Sequence, residues 1–221
     1  MYQLINAGPS PYGRKVAVAL HEKGVPFETI YDLPWADALE TRQHSPLEQL
    51  PILLIPGEES VYDSSYILRW LEAHHPEPAL LPRERDEQLA ALKLQTLGER
   101  LMEIAQAIIF ESYRPQPSEQ GIDRNTRKIV RGLGEVERLI STGKPPSVER
   151  PIHLGQIAVA TTLLVWEFVV SEKMSPPIDA FVWRGRYPAL TALIAELERR
   201  PSFAATQPQS MNLDFAAEVG R

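Results

Sequence analysis

Ser10-Pro11-Tyr12-Gly13-Arg14-Lys15 is the stretch of this 221-residue chain that decides the fold, because it joins a buried strand pattern to a helical pattern. An apolar run at residues 2–6 precedes it, and apolar residues at helical spacing follow it as far as Lys23-Gly24. Two further stretches, Leu50-Pro51 and Asp63-Ser64, also stand where a strand gives way to a turn or a helix. Backbone N–H groups at helix starts bind anions, so we expect the three stretches to converge on one small anionic ligand.

The first third of the chain alternates between strand and helix patterns. Pro56-Gly57 predicts a tight turn into a hairpin strand, and a helix that begins at Ser64 carries Ile67, Leu68 and Leu71 on one face. The predicted order is therefore βαβαββα. The predicted strands are residues 2–6, 27–31, 52–55 and 60–62, and the short second helix is residues 35–44.

A proline-rich stretch separates this part from the rest of the chain. Three prolines within residues 76–82 cannot continue a helix and suit an extended linker. Almost everything beyond the stretch has helical periodicity, and one segment is apolar on nearly all sides, which is typical of the central helix of a bundle. We expect an α/β domain at 1–77, a linker at 78–85 and an all-helical domain at 86–221. The clearest helical patterns are residues 94–108, 124–140, 157–170 and 188–199.

Composition excludes several classes of function. The formal net charge of −6 and the lack of a long Lys/Arg run argue against a nucleic-acid partner. No signal peptide and no apolar run near membrane-spanning length are evident, so we expect a soluble cytoplasmic protein without a membrane partner. The chain has no cysteine, which excludes disulfides, thiolate metal sites and a cysteine nucleophile. The five histidines form no ligand spacing, and we predict no metal.

The order of elements and the three stretches together resemble the cytosolic glutathione S-transferase superfamily. The resemblance covers nearly the whole chain and continues through residues 78–82, 183–190 and 200–203. It is strongest to small bacterial glutathione S-transferase-like proteins with an aromatic-Asp-Ser motif, here Tyr62-Asp63-Ser64. The resemblance implies a thioredoxin-like first domain, an all-α second domain, glutathione as cosubstrate and a homodimer.

Ser10 falls at the superfamily's catalytic serine or cysteine position. The resemblance implies that its hydroxyl donates a hydrogen bond to the sulfur of glutathione, which favours the thiolate over the thiol. Ser10 before Pro11 is also an ordinary helix N-cap with proline at the first helical position. Tyr12 is a possible substitute donor, although a residue at this point of the motif more often serves packing.

Five further positions are implied to hold glutathione, and each also has a structural interpretation: Gln49, Leu50, Pro51, Asp63 and Ser64. Leu50 of a cis Leu50-Pro51 bond is implied to pair with the cysteinyl backbone, although a proline here otherwise just begins a strand. Ser64 and Asp63 are implied to bind the carboxylate and the ammonium of the γ-glutamyl group, and they are also a capping pair. Gln49 is implied to bind the glycine carboxylate, or it is a solvated loop residue.

The helical domain is implied to carry the pocket for an electrophile. Aromatic residues at helical spacing are more often core residues than pocket residues. The candidates, with Tyr12 from the first domain, are Phe110, Tyr113, Arg114 and Trp166. His153-Leu154-Gly155-Gln156 replaces the Ser/Thr-x-x-Asp box with which superfamily members often begin the central helix. We expect the absence of the usual capping box to affect stability rather than activity.

The resulting interpretation is a serine-type glutathione transferase that acts in detoxification by conjugating glutathione to a small hydrophobic electrophile or by reducing an organic hydroperoxide. Thiol transfer through a mixed disulfide is excluded because the chain has no cysteine. Two alternatives stay open. One is a non-catalytic interaction module of the same fold, favoured by Glu48 beside the site and by Asp63 where many members have Glu. The other is a glutathione-dependent isomerase or ether-cleaving enzyme.

Overall fold

The structure is a computed structural model, and it describes residues 1–33, 41–143, 151–174 and 178–211. A four-stranded mixed sheet lies in the first third of the chain, with the strand order β2-β1-β3-β4. Strand β1 is parallel to β2 and antiparallel to β3, and β3 is antiparallel to β4. The four strands are Tyr2–Asn6 (β1), Phe27–Tyr31 (β2), Ile52–Leu54 (β3) and Val61–Tyr62 (β4). The predicted third and fourth strands were each one residue too long.

Three helices complete this part and confirm the βαβαββα order: Pro11–Glu22 (α1), Thr41–His44 (α2) and Ser64–His74 (α3). Helix α1 ends because Gly24 adopts φ +64°, a left-handed conformation that glycine tolerates without strain. Helix α2 was predicted to span residues 35–44, and residues 35–40 of that prediction lie outside the described residues. Glu72 of α3 accepts hydrogen bonds from the backbone N–H groups of Leu80 and Leu81, which fixes the proline-rich stretch against the helix.

The rest of the described chain is helical, as predicted. Helix α5 begins five residues earlier than expected, because Ser118 caps it by accepting a hydrogen bond from Gly121 N. A further four-residue helix, which was not among the predicted helices, begins at Pro201. The helices are Arg85–Ser112 (α4), Glu119–Ser141 (α5), Leu154–Ser171 (α6), Pro188–Glu198 (α7) and Pro201–Ala204 (α8), with a 3-10 helix at Asp179–Phe181. The domain limits of 1–77, 78–85 and 86–221 stay a proposal.

Helix α6 is the central helix, as its all-round apolar pattern predicted. It packs against α4 and α1, and it therefore joins the helical part to the sheet part. Of the helices that the structure describes, α6 alone is long and apolar enough to cross a membrane, with 72% of it buried in the protein. This corrects the expectation that no apolar run approaches that length. Gly155 allows α6 to approach α4 closely, because a Cβ at this position would lie 2.4 Å from Ala91 O of α4.

The start of α6 corrects a second expectation, because a capping box is present there, formed by residue types other than the usual ones. His153 Nδ1 accepts a hydrogen bond from Gln156 N at 3.3 Å, and Gln156 Oε1 accepts one from His153 N at 3.1 Å. Burial lowers the pKa of His153 to about 4, so the ring is neutral at pH 7 and can accept this bond. An imidazole and an amide thus replace the usual hydroxyl and carboxylate.

Candidate functional site

A cavity of about 450 Å³ opens between the two parts of the chain. One wall comes from strand and helix ends of the sheet part, and the facing wall comes from α4, α6 and the segment after α6. The sheet-part wall consists of Ala7, Pro9, Ser10, Pro11, Tyr12, Ser45, Leu47, Glu48, Gln49, Leu50, Asp63 and Ser64, and the helical wall of Met102, Glu103, Gln106, Ile109, Phe110, Val165, Val169 and Met174. The three stretches singled out in the sequence therefore meet at one wall.

Ser10 is both the N-cap of α1 and a lining residue of the cavity. Its backbone is extended, with φ −75° and ψ 119°, and its Oγ accepts a hydrogen bond from Gly13 N at 3.2 Å. A serine hydroxyl has one donor proton and two acceptor lone pairs, so the capping bond leaves the O–H free to donate. The capping role and a role toward a ligand are thus compatible at the same side chain.

Leu50 lines the cavity and is joined to Pro51 by a cis peptide bond, whereas Pro51 itself is buried outside the lining. Gln49 is exposed and lines the cavity beside Glu48. Glu48 has a positive φ of 50° and pairs with Arg42, with its Oε2 3.1 Å from Arg42 Nε. This loop therefore presents a polar side chain and a carboxylate to the cavity next to the backbone of Leu50.

Asp63 caps α3 and sits in an uncommon backbone conformation. Its Oδ1 accepts hydrogen bonds from Ser65 N at 2.8 Å and Tyr66 N at 3.1 Å, and its φ is 65°. A positive φ is uncommon outside glycine, and such conformations cluster at ligand sites. Ser64, the first residue of the helix, is buried and lines the cavity beside it. A carboxylate and a helix N-terminus thus lie side by side, which suits a ligand carrying both an ammonium and a carboxylate.

A buried ion pair lies behind this wall, and the sequence did not predict it. Glu99 Oε1 of α4 accepts hydrogen bonds from Lys15 Nζ at 2.5 Å, Ser65 Oγ at 2.7 Å and Gln95 Nε2 at 2.9 Å. Burial raises the pKa of Glu99, but the charge and hydrogen bond of Lys15 outweigh it and hold that pKa below its ordinary value. One carboxylate oxygen therefore links α1, α3 and α4 directly behind Asp63. The weak sequence signal was a lysine four residues after Pro11, on the buried face of α1.

The helical wall is apolar except for Glu103 and Gln106. Phe110 and Tyr12, two of the predicted pocket residues, both line the cavity. Burial raises the pKa of Tyr12, and the nearby carboxylates of Glu103 and Glu99 raise it further, so its hydroxyl stays protonated at neutral pH. A protonated phenol can donate a hydrogen bond to an acceptor in the cavity.

The other three predicted pocket residues do not line the cavity, which corrects that part of the prediction. Trp166 is 0% exposed, and its ring stacks on Phe181 with the centroids 4.9 Å apart. Tyr113 donates its hydroxyl hydrogen to Met174 O at 2.9 Å, and Arg114 is exposed and pairs with Glu111. Helical periodicity identifies which residues share a face, but it does not say which end of that face is covered by other helices.

Several lining residues were missed by the sequence reasoning, although their spacing is helical. Met102, Gln106 and Ile109 follow each other at i, i+4 and i+7 along α4, and Val165 and Val169 are four apart on α6. This pattern is equally typical of core residues, so it carried no specific signal. Within the part of the chain that the structure describes, no group of three or more His, Cys, Asp or Glu side chains is placed to hold a metal ion.

Comparisons with known proteins agree with this arrangement. The sequence family described as glutathione S-transferase, N-terminal domain, matches residues 9–74. An uncharacterized GST-like protein of Escherichia coli K12, YibF, is 31% identical over 208 residues, which cover 93% of this chain and 98% of that protein. A glutathione S-transferase structure from Methylobacterium radiotolerans, in complex with glutathione sulfonate, is 40% identical with a TM-score of 0.85 over 96% of this chain and 97% of that one. Another, from Methylobacillus flagellatus with glutathione bound, is 27% identical with a TM-score of 0.83 over 95% and 100%.

Proposed function

This chain belongs to the glutathione S-transferase family, and we propose that it binds glutathione at the sheet-part wall and transfers the thiolate to an electrophilic carbon of a small apolar molecule. The observation that carries the proposal is the cavity itself. Ser10, Leu50, Asp63 and Ser64 line one wall, and an apolar wall from α4 and α6 faces them across a space of about 450 Å³. The glutathione bound in solved relatives supports the choice of ligand.

In this proposal each polar group of the tripeptide meets a matching group of the wall. The ammonium of the γ-glutamyl part pairs with Asp63, while its carboxylate accepts hydrogen bonds from the hydroxyl and the backbone N–H of Ser64 at the start of α3. The cysteinyl backbone pairs with the backbone of Leu50, which lines the cavity. Gln49 supplies an amide for the glycine carboxylate.

Ser10 acts on the sulfur as a hydrogen-bond donor and not as a nucleophile. A free thiol has a pKa of about 8.5, so only a few per cent of it is ionised at neutral pH. A hydroxyl donor at the positive end of α1 favours the thiolate, and each unit by which the thiol pKa falls corresponds to about 1.4 kcal/mol. The thiol proton goes to solvent, the sulfur forms a bond to the electrophilic carbon, and the leaving group departs with the electron pair of the broken bond.

Calorimetric titration with reduced glutathione, followed by turnover of 1-chloro-2,4-dinitrobenzene, tests the proposal. Saturable binding and measurable conjugation are expected. Ser10→Ala should lower kcat/KM by about ten-fold or more, because loss of one hydrogen bond raises the thiol pKa by about one unit. Ser118→Ala is the matched control, since Ser118 caps α5 with the same geometry, at 3.1 Å from Gly121 N, and lies outside the cavity lining.

Three results would count against the transferase. Equal activity of the Ser10 and Ser118 variants would mean that Ser10 serves only as the N-cap of α1, and that another group donates to the sulfur. No binding of reduced glutathione would favour the non-catalytic interaction module instead. Tighter binding of oxidised than of reduced glutathione would favour a thiol-dependent reduction or cleavage over conjugation.

Asp63→Asn tests whether Asp63 contributes to glutathione binding, separately from the rate of the transfer step. Asparagine keeps the oxygen that caps Ser65 N and Tyr66 N, but it removes the charge that pairs with the ammonium. We expect glutathione to bind about ten-fold more weakly with little change in kcat, because a charge-assisted hydrogen bond contributes about 1.5–3 kcal/mol. An unchanged dissociation constant would refute the contact.

Homodimer formation, a cytoplasmic location and a role in detoxification are further parts of the proposal, and they rest on the family resemblance. Analytical ultracentrifugation checks the first of them. A mass near twice 24.9 kDa is expected, and a mass near 24.9 kDa at micromolar protein would refute the dimer.

A further inference from the structure

The charged side chains that line the cavity, among the described residues, all have the same sign. Of its lining residues, three are carboxylates, namely Glu48, Asp63 and Glu103, and none of the described lining residues is a lysine, arginine or histidine. Glu48 and Asp63 belong to the wall where glutathione is proposed to bind. Glu103 belongs to the opposite wall, where the electrophile is proposed to bind, and Gln106 is the other polar residue there.

Glu103 forms an ion pair with a residue that lies outside the cavity lining. Its Oε1 accepts a hydrogen bond from Arg100 Nη1 at 2.6 Å, one helical turn earlier. The two side chains are 46% and 63% exposed, so the pair is solvated and weak, and Arg100 does not line the cavity. Both charges act on Tyr12, which lines the cavity, and the raising effect of Glu103 on the pKa of Tyr12 is larger than the lowering effect of Arg100.

Bound glutathione adds further negative charge to the cavity once its thiol is ionised. Its two carboxylates and its thiolate outnumber its one ammonium. An electrophile that enters the cavity therefore meets a thiolate on one side and Glu103 on the other, without a lining cation among the described residues to balance an anionic group. The low dielectric of the apolar wall formed by Met102, Phe110 and Val165 strengthens these interactions relative to water.

We propose that the cavity selects uncharged or cationic apolar electrophiles over anionic ones, and that Glu103 is the residue that sets this preference. The inference rests on the proposed transferase function and names the substrate class of the same site. Selection by a repulsive charge is a common means of specificity, because it penalises one ligand without improving the other.

Three benzyl chlorides that differ only at the para position provide the test: the 4-nitro compound, which is neutral, the 4-carboxylate, which is anionic, and the 4-trimethylammonium compound, which is cationic. In each reaction the glutathione sulfur forms a bond to the benzylic carbon and chloride leaves with the bonding pair. The quantity compared is kcat/KM divided by the uncatalysed rate constant, which removes differences in intrinsic reactivity. We expect this corrected kcat/KM to be about ten-fold higher for the neutral and cationic compounds than for the anionic one. The ratio between them should fall as ionic strength rises, because salt screens the repulsion.

Glu103→Gln should lower the ratio of corrected kcat/KM between the neutral and the anionic compound by about three-fold or more. Glu196→Gln is the matched control, because Glu196 also pairs with an arginine three residues away, Arg199, lies outside the cavity lining, and its replacement changes the net charge equally. The control should leave this ratio unchanged. A ratio that persists in full in Glu103→Gln would overturn the assignment to Glu103.

Binding of the three matching S-benzyl glutathione derivatives keeps the inference testable if no turnover is found. A weaker affinity for the 4-carboxylate derivative, relieved in Glu103→Gln, would support the charge selection even if the transferase proposal failed. Equal affinities for all three derivatives, or equal corrected rates for all three chlorides, would overturn the charge selection while leaving glutathione transfer intact.

Discussion

Replacing Lys15 by methionine should lower the stability of the protein far more than the loss of an exposed ion pair. Methionine retains most of the apolar stem of the lysine but leaves Glu99 without its counter-charge. The pair is buried, with side-chain exposures of 2% for Lys15 and 14% for Glu99 and a separation of 2.5 Å. Ser65 and Gln95 still donate to the same carboxylate oxygen, but neither carries a charge.

The expected loss follows from the burial. Breaking a buried ion pair by removing one partner costs about 3–5 kcal/mol, because the remaining charge stays desolvated. A protein of this size loses about 2–4 °C in Tm for each kcal/mol, so the variant should melt about 10 °C lower than the parent. Lys93→Met is the control, since Lys93 and Glu135 are 55% and 33% exposed and their pair contributes about 0–1 kcal/mol.

Differential scanning calorimetry at pH 7 measures both variants. A Tm loss for Lys15→Met no larger than that for Lys93→Met would refute the reasoning, because it would mean that Glu99 is solvated or neutral once Lys15 is gone. The pH dependence gives a second check. The pKa of Glu99 is lowered in the folded protein, so its stabilisation is present above the ordinary carboxyl pKa and is lost as pH falls through the folded value. The difference between the parent and Lys15→Met should therefore shrink in acid.

Two further predictions concern helix α6. Burial holds the pKa of His153 at about 4, so between about pH 6.5 and pH 4 only the unfolded chain binds the proton, and stability should fall by up to about 3 kcal/mol as pH decreases through that window. His153→Ser should keep the cap and flatten this dependence of Tm on pH, and an unchanged slope would contradict the assignment. Gly155→Ala should cost about 2 kcal/mol or more, because its Cβ would lie 2.4 Å from Ala91 O. Gly134→Ala, with nothing within 4 Å of its Cβ, should instead raise stability by about 0.5–1 kcal/mol in urea unfolding, and equal effects of the two variants would contradict the close approach of α6 to α4.

The elements whose ends depend on local chemistry were predictable from the sequence. Asp63 marks the start of α3 because a carboxylate after a strand can accept from the free N–H groups of the first turn, and the structure has these bonds. The start of α6 was the opposite case. His153 and Gln156 are uncommon in a capping box, and only the burial that keeps the imidazole neutral makes the pair effective.

The sequence by itself determined the order of strands and helices, the central place of α6 and the convergence of Ser10, Leu50 and Asp63 on one wall. The first two depend on residues close together in the chain, through periodicity, turn residues and caps, whereas the convergence was expected because all three stretches stand at the ends of strands or the starts of helices. Only the tertiary structure decided that Phe110 faces the cavity while Trp166 is buried against Phe181, and that Lys15 meets Glu99 across 84 positions of sequence. These contacts depend on how helices cross and how deeply their side chains interdigitate, and local propensity does not carry that information.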